Sequence, residues 1–430
     1  MKSGGKKNVF NCLHKSEKVF GSVTPSSAYV HIPFCRRRCY YCDFPVSVVG
    51  DKANGSTSGT IEQYVEVLCQ EIEATPQFGC SLETVFFGGG TPSLLAVEQL
   101  GRILDTLNQR FRIAAGPEVS MEMDPGTFSL EQLKGYQDAG VNRVSLGVQA
   151  FQDELLDICG RSHKSIDIFT AVDILRQVEI SDFSLDLISG LPHQTLEQWQ
   201  ASLESAINIA PAHISSYDLI IEPVTAFGRQ YTPGAKPLPT DDTAAKMYRV
   251  AQQVLTSAGY EHYEISNYAL PGRACRHNRV YWENRPYYGF GMGAASYLQG
   301  CRFTRPRTRQ EYYTWVQKLI DADGILDCPE TTAGDVLLET LMLGLRLADG
   351  LSLSTLVQQF GEKTLEQIWM GLQPYHGNGW VEILGAEGEA VQLQDAQKLP
   401  MTGQLRLSDP EGFLFSNTVL ADLFNHLGEN

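Results

Sequence analysis

Cys35-Arg36-Arg37-Arg38-Cys39-Tyr40-Tyr41-Cys42 brings three thiols into eight residues, directly after a run at 28–32 that reads as a strand. Thiolates are soft ligands that suit zinc and iron–sulfur clusters. Structural zinc takes four protein ligands, and no fourth Cys or His follows here at zinc-ribbon spacing. A cubane held by three cysteines instead leaves one iron open to a small molecule. The spacing therefore points to a [4Fe–4S] cluster on Cys35, Cys39 and Cys42. Tyr40, Tyr41 and Phe44 suit either a dry aromatic wall for it or ordinary packing at a barrel mouth.

Outward from this loop, short apolar runs alternate with helical stretches. Strands are expected at 28–32, 84–87, 119–123, 143–146, 183–187 and 213–221. Helices are expected between them, at 61–74, 96–111, 130–139, 169–177 and 196–209. Gly140 stops the third helix and Thr195 caps the fifth. This alternation is the signature of βαβ units around a parallel sheet. Six repeats suit an α/β fold of the partial (β/α)6, TIM-like kind, although a doubly wound sheet alternates in the same way.

The barrel is expected over 28–222. Residues 1–27, with Lys2, Lys6, Lys7, Lys15 and Lys18 against Glu17, read as a flexible basic tail or a transit-peptide remnant. Pro233, Gly234, Pro237 and Pro239 mark a linker, so 223–300 reads as linker plus an aromatic region packed on the barrel. The remaining 301–430 read as a mixed, mainly helical domain, with a helix at 335–347 and a strand–turn–helix over 403–423.

The net charge of −16 over 430 residues argues against a nucleic-acid partner, because phosphate neutralisation needs a basic surface. No run reaches the ~18 apolar residues that would span a bilayer. Seven of the ten cysteines are scattered singly, which is no disulfide framework. A reducing cytoplasm is the expected compartment, or an organellar stroma or matrix if the basic tail is a transit remnant.

Successive strand ends carry polar or glycine-rich groups, and barrel chemistry sits at such ends. They are Gly88-Gly89-Gly90-Thr91-Pro92-Ser93, Glu122-Met123-Asp124-Pro125, Gly147-Val148-Gln149 with Arg161 and His163 following, and Asp186 with Gly190–Thr195.

The three-cysteine spacing resembles the radical SAM superfamily. In order and spacing, the motifs from Tyr29-Val30-His31-Ile32-Pro33-Phe34-Cys35 to Asp186 are similar to its oxygen-independent coproporphyrinogen oxidase-like family. That resemblance implies S-adenosylmethionine beside the cluster, contacted by Tyr29, Tyr41, Gly89, Gly90, Thr91, Glu122, Gln149, Arg161 and Asp186. Gln149, Arg161 and Asp186 would line a second, SAM- or substrate-sized space. It also implies an electron donor and allows a homodimer.

The family holds true oxidases, which decarboxylate coproporphyrinogen III, and HemW-type haem chaperones. The oxidases carry a further cysteine two positions after the third ligand, where this chain has Phe44, and a longer N-terminal arm. Cys275-Arg276-His277-Asn278-Arg279-Val280-Tyr281-Trp282 resembles the His-Asn-x-x-Tyr-Trp element of the HemW type. The expectation is a chaperone that binds haem and delivers it to client proteins, with an anaerobic oxidase as the alternative. His277, Cys275, Tyr281 and Trp282 are the haem candidates; a turn with a satisfied histidine and a core Tyr–Trp pair is the competing reading. Cys328-Pro329 resembles the Cys-Pro pairs of some regulatory haem sites. Arg36, Arg37 and Arg38 suit propionates, the SAM carboxylate or a solvated face.

Overall fold

The computed structural model describes residues 24–51, 54–324, 331–391, 393 and 399–428. Most of the expected basic tail and the Cys328-Pro329 pair lie outside the described residues.

The barrel strands are β1 (Ser27–Ile32), β4 (Leu82–Gly89), β5 (Ile113–Met123), β6 (Arg143–Gln149), β7 (Phe183–Ser189) and β8 (His213–Asp218), with a short ladder of β2 (Phe34–Cys35) and β3 (Ser47–Val48) after the first. Then come β9 (Glu261–Glu264), β10 (Asn267–Ala269), β11 (Tyr288–Phe290), β12 (Ala295–Leu298), β13 (Cys301–Thr304), β14 (Leu351–Ser352), β15 (Val381–Leu384) and β16 (Gln404–Leu407). The main sheet has nine strands in the order β11-β1-β4-β5-β6-β7-β8-β10-β9. From β11 to β8 every pairing is parallel, and the β10–β9 hairpin closes the far edge antiparallel.

Each expected helix forms. Residues Leu196–Ile209 are helical end to end, with Thr195 Oγ1 accepting from the Gln198 amide at 3.2 Å. Alternation along β1 sorts its residues: Ala28, Val30 and Ile32 are buried against the helices, while Tyr29 and His31 turn into the barrel. Trp199 is fully buried and donates its Nε1 to the Met247 carbonyl at 2.9 Å, which fixes helix Asp241–Ser257 on helix Leu196–Ile209.

The segment 223–300, expected as linker and packed aromatics, differs. It supplies β9, β10 and β11 to the barrel sheet, and helix Arg276–Trp282 beneath it. Strands of three or four residues are too short to print a period of two, which is why the sequence hides them.

The C-terminal part packs helices, among them Ala333–Gly344, Glu362–Gly377 and Ser416–Gly428, around the antiparallel sheet β14-β16-β15. The expected helix at 335–347 ends at Gly344, because the following backbone leaves to pair with the barrel edge. There the Ile265 amide donates to the Arg346 carbonyl and the Ala348 amide to that of Tyr263, both at 3.0 Å. Tyr248, on a barrel helix, belongs to the C-terminal core. Among the described residues no helix is long and apolar enough to cross a membrane.

Candidate functional site

The cysteine loop leaves the C-terminal end of β1, where barrel chemistry collects. Its base is the β2–β3 ladder, and the glycine turn is tied to it by Gly90 and Thr91 amides donating to the Ile32 and Phe34 carbonyls at 2.9 and 2.7 Å. Arg38 crosses the loop, donating to the Cys42 and Phe44 carbonyls at 3.2 and 3.1 Å. The tip is held from outside: the Tyr40 amide donates to the Cys159 carbonyl at 3.0 Å, and Phe227 donates to that of Tyr40 at 2.9 Å. On the other flank Arg307 donates to the Asp43 carbonyl at 2.6 Å, and Gly293 lies so close to Pro45 that an added Cβ would stand 2.2 Å from its ring.

Cys35, Cys39 and Cys42 are half-buried and free. Burial pushes the Cys35 thiol up to about 12 and that of Cys42 up to about 11. A bound metal reverses this, because a coordinating thiol loses its proton outright. The Arg161 guanidinium lies 3.3 Å from Cys39 Sγ. Among the described residues no three Cys, His, Asp or Glu converge on a single ion. The three thiols share one loop of eight residues and none is tied up in a disulfide.

Below the loop a cavity of about 470 Å³ runs through the barrel, from Asp43, Phe44 and Pro45 at the mouth to Arg143, Cys275 and His277 at the floor. Its wall is built in registered layers: Tyr29 lies beside Phe86, and Glu122, Ser145, Ser184 and His213 stand in one row across four strands. Glu122 accepts from the Gly89 amide at 2.9 Å, and burial lifts its carboxyl to about 8. Asp186 accepts from Ser145 Oγ at 2.9 and 2.8 Å, and burial raises it as well. His31 places Nε2 3.1 Å from the Pro45 carbonyl, so that nitrogen carries the proton and Nδ1 accepts from the Tyr29 hydroxyl at 3.0 Å. Burial holds this neutral imidazole down at about 4. Gly89 has φ +110°, and a Cβ there would stand 2.3 Å from the His31 ring, so only glycine lets the turn pass. Aromatic faces, two carboxylates and a side-chain-free turn suit an adenosine ring, its hydroxyls and an amino acid ammonium.

The expected SAM residues divide between places. Tyr29, Glu122 and Asp186 line the cavity, with Gly89 and Gly90 in the adjoining turn. Thr91 and Arg161 line a small cleft behind the loop with Cys39 and Asp124. Arg161 is buried there, 2.6 Å from Asp124 and 2.8 Å from the Gly147 carbonyl. Gln149 takes a left-handed φ of 68° at the end of β6. Tyr41 is not in the cavity wall; it packs on Phe227 behind the loop.

Three of the haem candidates, Cys275, His277 and Tyr281, line the floor of the same cavity. Cys275–Trp282 lies at the barrel floor, opposite the cysteine loop, where Glu118 accepts from the amides of Arg276 and His277 at 3.0 and 2.9 Å. His277 has no free nitrogen: Nδ1 is 2.7 Å from Thr84 Oγ1 and Nε2 is 2.9 Å from the Tyr281 hydroxyl. Burial lowers it to about 3 and pushes the Cys275 thiol up to about 12. Trp282 is outside the cavity, with the Arg346 guanidinium 6.0 Å from its ring centre.

Several wall residues escaped the sequence reading, among them Phe86, Ser145, His213 and Asn267. For Ser145 and His213 a signal was present, as polar residues two apart on strands: Arg143 and Ser145, His213 and Ser215.

Comparison with known proteins matches residues 29–206 to the Radical SAM superfamily and residues 332–387 to the HemN C-terminal domain. A Synechocystis protein named heme chaperone HemW is 46% identical over 409 residues, covering 95% of this chain and 98% of its own. A Bacillus subtilis protein of the same name is 37% identical over 340 residues, covering 78% and 87%. The solved structure of Escherichia coli coproporphyrinogen III oxidase, HemN, described as a radical SAM enzyme, superposes with a TM-score of 0.77 over 96% of this chain and 93% of its own. At 23% identity it speaks for the shared fold alone.

Proposed function

Because this chain belongs to the radical SAM superfamily and, within it, to the HemW family, we propose that it is a haem chaperone that also carries a [4Fe–4S] cluster and S-adenosylmethionine and passes haem to client proteins. The observation that carries this reading is the 46% identity to the Synechocystis heme chaperone along 98% of that protein.

In this reading Cys35, Cys39 and Cys42 hold the cluster, which when bound supplies one-electron chemistry and an open iron, with an electron donor as partner. Glu122, Asp186 and Tyr29 orient S-adenosylmethionine in the barrel, and the Gly89–Thr91 turn lets its backbone approach closely. The side chain of Glu122, protonated below about 8 in the free protein, releases that proton when a cationic ligand arrives. Arg161 holds Asp124 and compensates charge at Cys39. The rim aromatics and the loop exclude water from the cavity.

The test uses anaerobically reconstituted full-length protein. It is expected to bind haem and release it to a haem-free acceptor protein, and to form no vinyl-bearing product from coproporphyrinogen III, S-adenosylmethionine and reductant. Vinyl product at catalytic rates would make the chain an oxidase and overturn the reading.

A further inference from the structure

Haem is an apolar disc with two carboxylates on one edge. In the chaperone reading the barrel cavity is taken by S-adenosylmethionine, and its wall presents the carboxyls of Glu122 and Asp186. Of the two arginines in its lining, Arg143 is paired with Asp182 at 2.7 Å and Arg307 donates to the Asp43 carbonyl at 2.6 Å. Both nitrogens of His277 are occupied.

The rim of the mouth has the opposite character. Phe44 is 56% exposed, Ile220 and Val224 are each 70% exposed, and Tyr217 is 44% exposed. Large apolar side chains grouped on a surface mark an interaction site. Phe227 joins the two loops that carry this apolar ridge: its ring meets that of Tyr40 edge-on, centroids 6.2 Å apart, and its amide donates to the Tyr40 carbonyl at 2.9 Å. Phe44 and Tyr217 also line the cavity mouth.

Each of the two loops also carries a guanidinium bound to one of its own carbonyls. Arg38 binds the Phe44 carbonyl at 3.1 Å, and Arg229 binds that of Val224 at 3.0 Å. Both are exposed, and among the described residues neither has a carboxylate partner. Uncompensated cations are notable on a chain of net charge −16. An apolar peptide would use the ridge but not these charges; a dianionic flat ligand uses both.

Resting on the chaperone reading, we infer that haem docks across this outer rim, its face on Phe44, Tyr217, Ile220 and Val224 and its propionates toward Arg38 and Arg229, away from the Cys275–Trp282 floor. The cluster and S-adenosylmethionine then lie beneath the haem, not beside it in one pocket.

The experiment is haem titration of the cluster-loaded full chain, following haem absorption. An Ile220→Asp, Val224→Asp double variant and a separate Arg229→Glu variant are each expected to bind haem about tenfold or more weakly. Their iron and sulfide content is expected to match wild type, which shows that the exposed changes leave the fold intact. His277→Gln is expected to keep wild-type haem affinity. Wild-type affinity in both rim variants, or loss of haem with His277→Gln alone, would overturn this site while leaving the chaperone reading standing. A wild-type protein that binds no haem sinks both.

Discussion

At the residue scale, His277 carries two predictions because it is buried with both nitrogens engaged. The unfolded chain takes a proton on it near 6.5, whereas the folded chain resists protonation down to about 3. Its contribution is complete above pH 6.5 and declines as pH falls toward 3, since there the unfolded state binds more protons. His277→Gln is therefore expected to reduce the acid slope of stability by up to ~1.4 kcal/mol per pH unit, read from urea unfolding at pH 7 and pH 5. At pH 7 the same variant costs about 1–3 kcal/mol, because Thr84 and Tyr281 lose a well-placed partner. Gly89→Ala makes a second case. Its left-handed φ and the nearby His31 ring predict a loss of about 1–3 kcal/mol, seen as a lowered Tm, together with weakened S-adenosylmethionine binding. The thiols were legible in the sequence because their chemistry is local. The engagement of His277 was not, since Thr84 lies 193 residues away.

At the element scale, the βα repeats were legible because amphipathic helices and capped ends print their own period. Strand β7 begins at Phe183 and helix Leu196–Ile209 runs its expected length. Helix Arg276–Trp282 left no such trace, having seven residues and a cap supplied from β5. Glu118 accepts there from two backbone amides and lies 3.5 Å from Cys275 Sγ. Glu118→Ala is expected to fray this helix, raising hydrogen exchange at residues 276–282 and costing about 1–3 kcal/mol while β5 stays protected. Unchanged exchange would show that packing alone holds the barrel floor.

At the scale of the whole molecule, the C-terminal part is fastened to the barrel by backbone pairing at 346–348 and by apolar packing. The Arg249–Glu411 pair is bidentate at 2.6 and 2.8 Å but two-fifths exposed on each side. Arg249→Ala is therefore expected to cost no more than ~1 kcal/mol. Tyr248 carries the apolar link, and Tyr248→Ala is expected to cost about 3–5 kcal/mol and to split a single calorimetric transition into two. Retention of one transition would place the link elsewhere. This joint was invisible in the sequence, where Pro233, Gly234, Pro237 and Pro239 marked only a linker.

The struts of the cysteine loop also set an order of events during biosynthesis. Arg307, which holds the Asp43 carbonyl, emerges from the ribosome 264 residues after its target, and Phe227 and Gly293 arrive late as well. A nascent chain therefore presents Cys35, Cys39 and Cys42 on an unbraced loop for most of translation. If these cysteines hold the proposed cluster, chains halted before residue 290 are expected to lose iron faster than complete ones.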